Sequence, residues 1–157
     1  YSLPKKMSEV VGYLVKSVSD RKHKELLPDE VYDIFRTHFV DITSPLEVTG
    51  THYVQNNGIE ATVSLVFNGR KAAASDSGNG RLDAVSNAIR SYTGINYSIN
   101  TYTEHALEVG SGSKAVSYVE VLSDDGRSFW GTGIDNDIIM SSIKALVSAV
   151  NNLIKGV

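Results

Sequence analysis

The chain has 157 residues, 41% of them hydrophobic, with a formal net charge of −3 and a pI near 5.8. That length supports one core plus an appendage, and the acidic balance argues against the dense basic face that nucleic-acid binding needs. Zero cysteines exclude disulfides and thiolate metal sites, and no apolar run reaches the roughly 20 residues of a membrane span. A start at Tyr1 rather than Met is expected of a piece of a longer polypeptide.

Val10, Val11, Leu14, Val15 and Val18 mark an apolar stripe at helical spacing, with Ser8 the expected N-cap and Glu9 in the first turn. Residues 20–27 read as a charged turn. Pro28 opens a second helix, with Asp29 and Glu30 at its positive end and Val31, Ile34, Phe35 and Phe39 on one face. Two short helices leave apolar faces to be covered, so 1–39 is expected to pack against a preceding or symmetry-related domain. Pro45 marks the boundary.

Residues 46–55 alternate and end at Asn56-Asn57-Gly58, a hairpin signal. A strand over 59–67 follows, with Ala61, Val63, Leu65 and Phe67 on one face. Asn68-Gly69 turns it into a strand over 70–75. Residues 81–92 are helical, burying Leu82, Val85, Ala88 and Ile89. Strands over 96–107, 115–122 and 127–132 come next. The closing helix over 137–154 points Ile138, Ile139, Ile143, Leu146, Val147, Val150 and Leu153 inward, with Asp137 a natural N-cap.

This order is one unit written twice. Shifted by 57 positions, Leu65, Gly69, Arg70, Asn79, Ala88 and Ser91 fall on Leu122, Gly126, Arg127, Asn136, Ala145 and Ser148 without a gap. The fold expected is therefore α/β (α+β), two pseudo-repeated βββα units preceded by a short helical linker. Two small polar loops, 75–80 and 131–137, take equivalent places, the first with Gly78-Asn79-Gly80 ahead of a helix whose N–H groups can meet a small anion. As a structural element the same loop is a strand-to-helix turn needing left-handed φ. The second loop is acidic, so one ligand is not expected to bind identically at both.

Catalytic signatures are missing. His23, His38, His52 and His105 form no metal-binding pattern, and Ser75, Ser77 and Ser111 lack a triad arrangement. Glu104 and His105 are adjacent on a strand and point to opposite faces.

Several ordered strings then carry a resemblance: Ser77-Gly-Asn-Gly-Arg-Leu-Asp-Ala84, Tyr102-Thr-Glu-His-Ala106, Ala115-Val-Ser-Tyr-Val-Glu-Val121, Trp130-Gly-Thr-Gly-Ile134 and Ala145-Leu-Val-Ser-Ala-Val-Asn151. Over 44–154 the chain resembles the C-terminal regulatory domain of the 2-isopropylmalate synthase family, and 1–39 resembles the end of its helical linker subdomain. The resemblance implies domains at 1–39 and 44–157, a homodimer, and leucine bound at the dimer interface as feedback inhibitor. It implies no cofactor in this segment. The parent's divalent metal would sit in a catalytic barrel of the same polypeptide, which condenses acetyl-CoA with 2-oxoisovalerate in leucine biosynthesis. Cytoplasmic location is implied, or mitochondrial for a fungal parent. Carried over by motif, the leucine contacts are Gly78, Asn79, Gly80, Leu82, Asp83, Ile99, Tyr102, Ala106, Ser113 and Ile134. Amides near Gly80 would take the carboxylate and Leu82, Ile99, Ala106 and Ile134 the isobutyl group.

Two positions depart from the family pattern: Arg81 replaces the usual proline after Gly-Asn-Gly, adding a cation near that carboxylate, and Ser113 replaces a small apolar residue. Three alternatives stay open. A citramalate synthase regulatory domain would sense isoleucine, and a dimerisation domain would have no ligand. A small enzyme would use Glu104 or His105.

Overall fold

The computed structural model describes residues 1–109 and 112–157, so Ser111 lies outside the described residues. Helices α1 (Lys5–Lys22) and α2 (Pro28–Phe39) come first. The first unit is β1 (Leu46–Gln55), β2 (Ile59–Phe67), β3 (Arg70–Gly78) and α3 (Arg81–Thr93). The second is β4 (Tyr97–Val109), β5 (Gly112–Ser123), β6 (Ser128–Asp135) and α4 (Ile138–Lys155). Each unit's strands form an antiparallel three-stranded sheet in sequence order, giving an α+β fold of two βββα units. The inner faces of both sheets and helices α3 and α4 share one core, centred on residues such as Leu65, Ile89, Val119 and Leu146.

The 57-residue shift survives in three dimensions: α3 and α4 begin 57 positions apart, and Gly69 and Gly126 both turn at φ +79°. The turns themselves differ. Asn68-Gly69 is a two-residue loop with both φ positive. Its counterpart holds three residues, closed by Ser123 N–H donating to Arg127 O at 2.9 Å. The opening strands follow another shift, because their bulges lie at Val48/Gly50 and Ile99/Thr101, 51 positions apart.

Helix α1 starts earlier than the stripe predicts. Pro4 occupies the cap, Ser8 N–H already donates to Pro4 O at 2.9 Å, and the first turn carries no acidic residue. The earlier start brings Met7 onto the buried face beside Val11, while Val10 is 39% exposed. Part of the apolar surface of α1 and α2 is covered within the chain: Met7, Val11, Phe35 and Phe39 pack on Val116, Tyr118 and Trp130 of the second sheet's outer face, while Tyr13 and Tyr32 stay exposed. Within this layer Tyr118 Oη and Trp130 Nε1 are buried without a hydrogen-bond partner. The chain then crosses to β1 under the control of two buried amides. Asn151 donates to Ile42 O and Leu46 O and accepts from Leu46 N, all at 2.8 Å. Asn152 donates to His38 O and Trp130 O.

Helix α4 has the length and hydropathy of a membrane span, yet 61% of it is buried inside the protein. Ile138, expected inward, is 46% exposed because it sits at the open N-terminal end of the helix. Strand β6 runs on to Asp135, past the expected end at 132 and through most of the expected loop, and Gly131 and Gly133 serve close packing instead of a turn. A Cβ on Gly133 would stand 2.5 Å from Ala145 N and nearer still to Ser141 O, and one on Gly131 would collide with the backbone at Ala145 and Ala149.

Glu120 is 3% exposed on the outer face of β5. Burial opposes its ionisation, but Ser128, Asn100 and Thr101 donate to the carboxylate and together hold its pKa below the ordinary value. A folded pKa below the unfolded one adds stability that is present above the unfolded value and lost as pH falls through the folded one. Glu120→Gln is expected to destabilise the protein by about 1–2 kcal/mol at pH 7. Urea melts should show the gap narrowing below about pH 4.5; a gap constant down to pH 3 would contradict the assignment.

Candidate functional site

Each unit carries a cleft between its first hairpin and its strand-to-helix junction. In the first unit, Val54, Asn56 to Glu60 and Ser77 to Asn79 enclose about 420 Å³. In the second, the arms of the β4–β5 hairpin (Glu104, His105, Ala106 and Ser113, Lys114, Ala115) and Asn136 and Ile138 beyond β6 enclose about 350 Å³. The repeat thus produces two clefts at corresponding places.

In the first cleft, Gly78 ends β3 and Gly80 caps α3 with extended backbone, φ −144°. Neither glycine has the left-handed φ expected of the turn. Gly78 is required by space, because an added Cβ would lie 2.6 Å from Ala84 N and from an Asp83 carboxylate oxygen. That carboxylate accepts the Asn79 N–H at 3.0 Å, so Asp83 shapes the loop and occupies one of its amides. Leu82 is half-buried against the main core. Arg81, at the start of α3, lies over the Tyr53 ring, its guanidinium carbon 5.3 Å from the centroid.

In the second cleft, strand pairing decides which side chains meet. Tyr102 pairs with Val119, Glu104 with Ser117 and Ala106 with Ala115, so all six share the face that packs on α4, and alternation adds Ser113. Ile99 joins that face and packs on the core because the bulge between Ile99 and Thr101 absorbs the odd spacing to Tyr102. Ile134 does not. It pairs with Val116 and packs among the α1–α2 layer on the opposite face, with its N–H bonded to Asp41. His105 also lies on that outer side, its ring centroid 5.5 Å from that of Tyr118, which separates it from Glu104 as expected.

A polar chain leads from this cleft into the core. Tyr102 Oη donates to Glu104 and meets Ser142 Oγ at 2.7 Å. Ser117 Oγ lies 2.8 Å from Ser141 Oγ and 3.3 Å from Ser142 Oγ, and both α4 serines reach Ile138 O. Burial first, and then the Glu104 carboxylate, raise the Tyr102 pKa, so the phenol keeps its proton. Asp137 caps α4 by accepting Ile139 N–H at 2.8 Å. No cluster of three or more metal-ligating side chains occurs among the described residues.

The structure therefore divides the expected contacts. Gly78 and Asn79 line the first cleft, with Gly80 and Asp83 beside them; Ala106 and Ser113 line the second, with Tyr102 on the same face. Glu104 and Ile138 line the second cleft too, although neither was among the expected leucine contacts. For Glu104 the placement was legible, because positions 102, 104 and 106 of one strand share a face.

Comparison with known proteins gives this arrangement a family. The sequence of the LeuA allosteric (dimerisation) domain family matches residues 25–154. A 2-isopropylmalate synthase of Desulfitobacterium hafniense is 50% identical over 153 residues, covering 98% of this chain and 28% of the relative. Proteins of the same name from Helicobacter hepaticus and Schizosaccharomyces pombe are 40% and 33% identical, with 98% and 95% of this chain covered and 29% and 27% of theirs. The chain thus spans less than a third of these relatives' length. It belongs to the LeuA allosteric (dimerisation) domain family.

Proposed function

We propose that this chain is the regulatory, dimer-forming module of a 2-isopropylmalate synthase, and that leucine, bound where two copies meet, is its feedback effector. The observation that carries this reading is that expected contacts such as Gly78, Asn79, Ala106 and Ser113 lie at two separate, solvent-open clefts of one copy. A second copy completes them by bringing the glycine junction of one protomer to the hairpin cleft of the other. The family match and the relatives' shared name support the regulatory role and the parent reaction, condensation of acetyl-CoA with 2-oxoisovalerate in a barrel of the same polypeptide. Catalysis and its divalent metal belong to that barrel, and this segment acts on it through leucine alone.

Calorimetric titration of the purified chain with leucine, isoleucine and valine, with its mass from light scattering, tests the reading. Saturable leucine binding to a dimer, with isoleucine at least several-fold weaker, is expected. Preference for isoleucine would reassign the domain to a citramalate synthase, and a dimer binding none of the three would leave a purely structural role.

A further inference from the structure

Resting on that reading, we propose that Glu104 is the residue that recognises the effector's ammonium group and so separates an amino acid from the 2-oxo acid of the same carbon skeleton. Glu104 lines the second cleft beside Ala106 and Ser113, and it makes no ion pair among the described residues. Its hydrogen-bond partner is Tyr102 Oη. A carboxylate at the edge of a partly apolar cleft, held by one neutral donor, is suited to a cation that arrives with its ligand.

The hydroxyl chain behind it is short of protons. Tyr102, Ser117, Ser141 and Ser142 supply four hydroxyl hydrogens, one each, for six contacts: two made by Tyr102, two made by Ser117 and two to Ile138 O. With Tyr102 donating to Glu104, the Tyr102–Ser142 contact needs the Ser142 proton, which leaves Ile138 O. With an ammonium on Glu104, Tyr102 turns its proton to Ser142, and Ser142 returns its own to Ile138 O. The ligand thus replaces a donor that has a second acceptor waiting 2.7 Å away, so little hydrogen bonding is lost on binding. A 2-oxo acid brings no donor and sets its oxygen against the carboxylate.

Leucine and 4-methyl-2-oxopentanoate should be titrated into the intact dimer and into Glu104→Gln. The native protein is expected to bind leucine about 100-fold more tightly than the oxo acid. Glu104→Gln should weaken leucine by roughly 30- to 100-fold while leaving the oxo acid within about threefold. Tyr102→Phe, which frees Glu104 without removing the ring, should hold leucine at least as tightly as the native protein. Leucine affinity unchanged in Glu104→Gln overturns the assignment and leaves the effector reading standing. Native protein that binds no branched-chain amino acid overturns both.

Discussion

Gly133→Ala is expected to destabilise the protein by about 4 kcal/mol or more, close to the whole stability of an ordinary domain. The added methyl would lie within 2.5 Å of the α4 backbone, where neither Ser141 O nor Ala145 N can rotate aside. Helix α4 would have to lift from β6, and the buried Ser117–Ser141 contact and the seating of Ala145, Leu146 and Ala149 would go with it. Gly131→Ala should behave alike, for the same helix passes over it. The comparison that isolates packing is Gly126→Ala: φ is +79° but nothing lies within 4 Å of the new Cβ, so only the left-handed backbone penalty of about 1–2 kcal/mol applies. Urea melts of the three variants decide the matter. If Gly133→Ala stays within 1 kcal/mol of the native protein, α4 does not sit as closely as described.

Asn151→Ala should lower stability by about 3 kcal/mol through a different mechanism, the orphaning of buried backbone. One fully buried amide satisfies three groups of the crossing chain, Ile42 O, Leu46 N and Leu46 O, and alanine can replace none of those bonds. Asn151→Asp should be no better, since a carboxylate would oppose two carbonyls that now receive N–H groups. The loss should be local as well as global, with faster amide exchange of Leu46 reporting the freed crossing. Exchange at Leu46 unchanged in Asn151→Ala would count against this role. Asn152, one residue on, holds the end of α2 and β6 together, so the two substitutions are expected to couple instead of adding.

What the sequence revealed tracks the kind of interaction involved. Elements whose signal is periodic were legible: both units, the Asn57-Gly58 turn and the Asp137 cap are where alternation and local hydrogen bonding put them. The start of α1 was not, because Ser8 is a competent cap residue while Pro4 wins by stopping the chain three residues before Met7, whose burial depends on a distant sheet. The glycines of β6 were taken for loop glycines, since the close approach of the helix that follows is a packing contact and leaves no mark on the local pattern. Identity between repeats was equally blind to role. Ser91 donates to Asp76 within its own unit, whereas Ser148 accepts the Ile42 N–H of the crossing chain. At the candidate site, Tyr102, Ala106 and Ser113 share a face by strand alternation, and Ile134 falls on the other side of the sheet because pairing with Val116 fixes its direction.

The mismatch between the two shifts has a consequence for how such a module diversifies. Between the bulge and the next turn glycine, the second copy is six residues longer (57 − 51) than the first, and the cleft residues Ala106, Ser113, Lys114 and Ala115 stand on its lengthened arms. Paired strands lengthen together, so residues added at the hairpin tip, one on each arm, leave the side chains nearer its base on their original faces. A change in the length of this one hairpin therefore reshapes the second cleft while the glycine seam and the asparagine ties stay untouched.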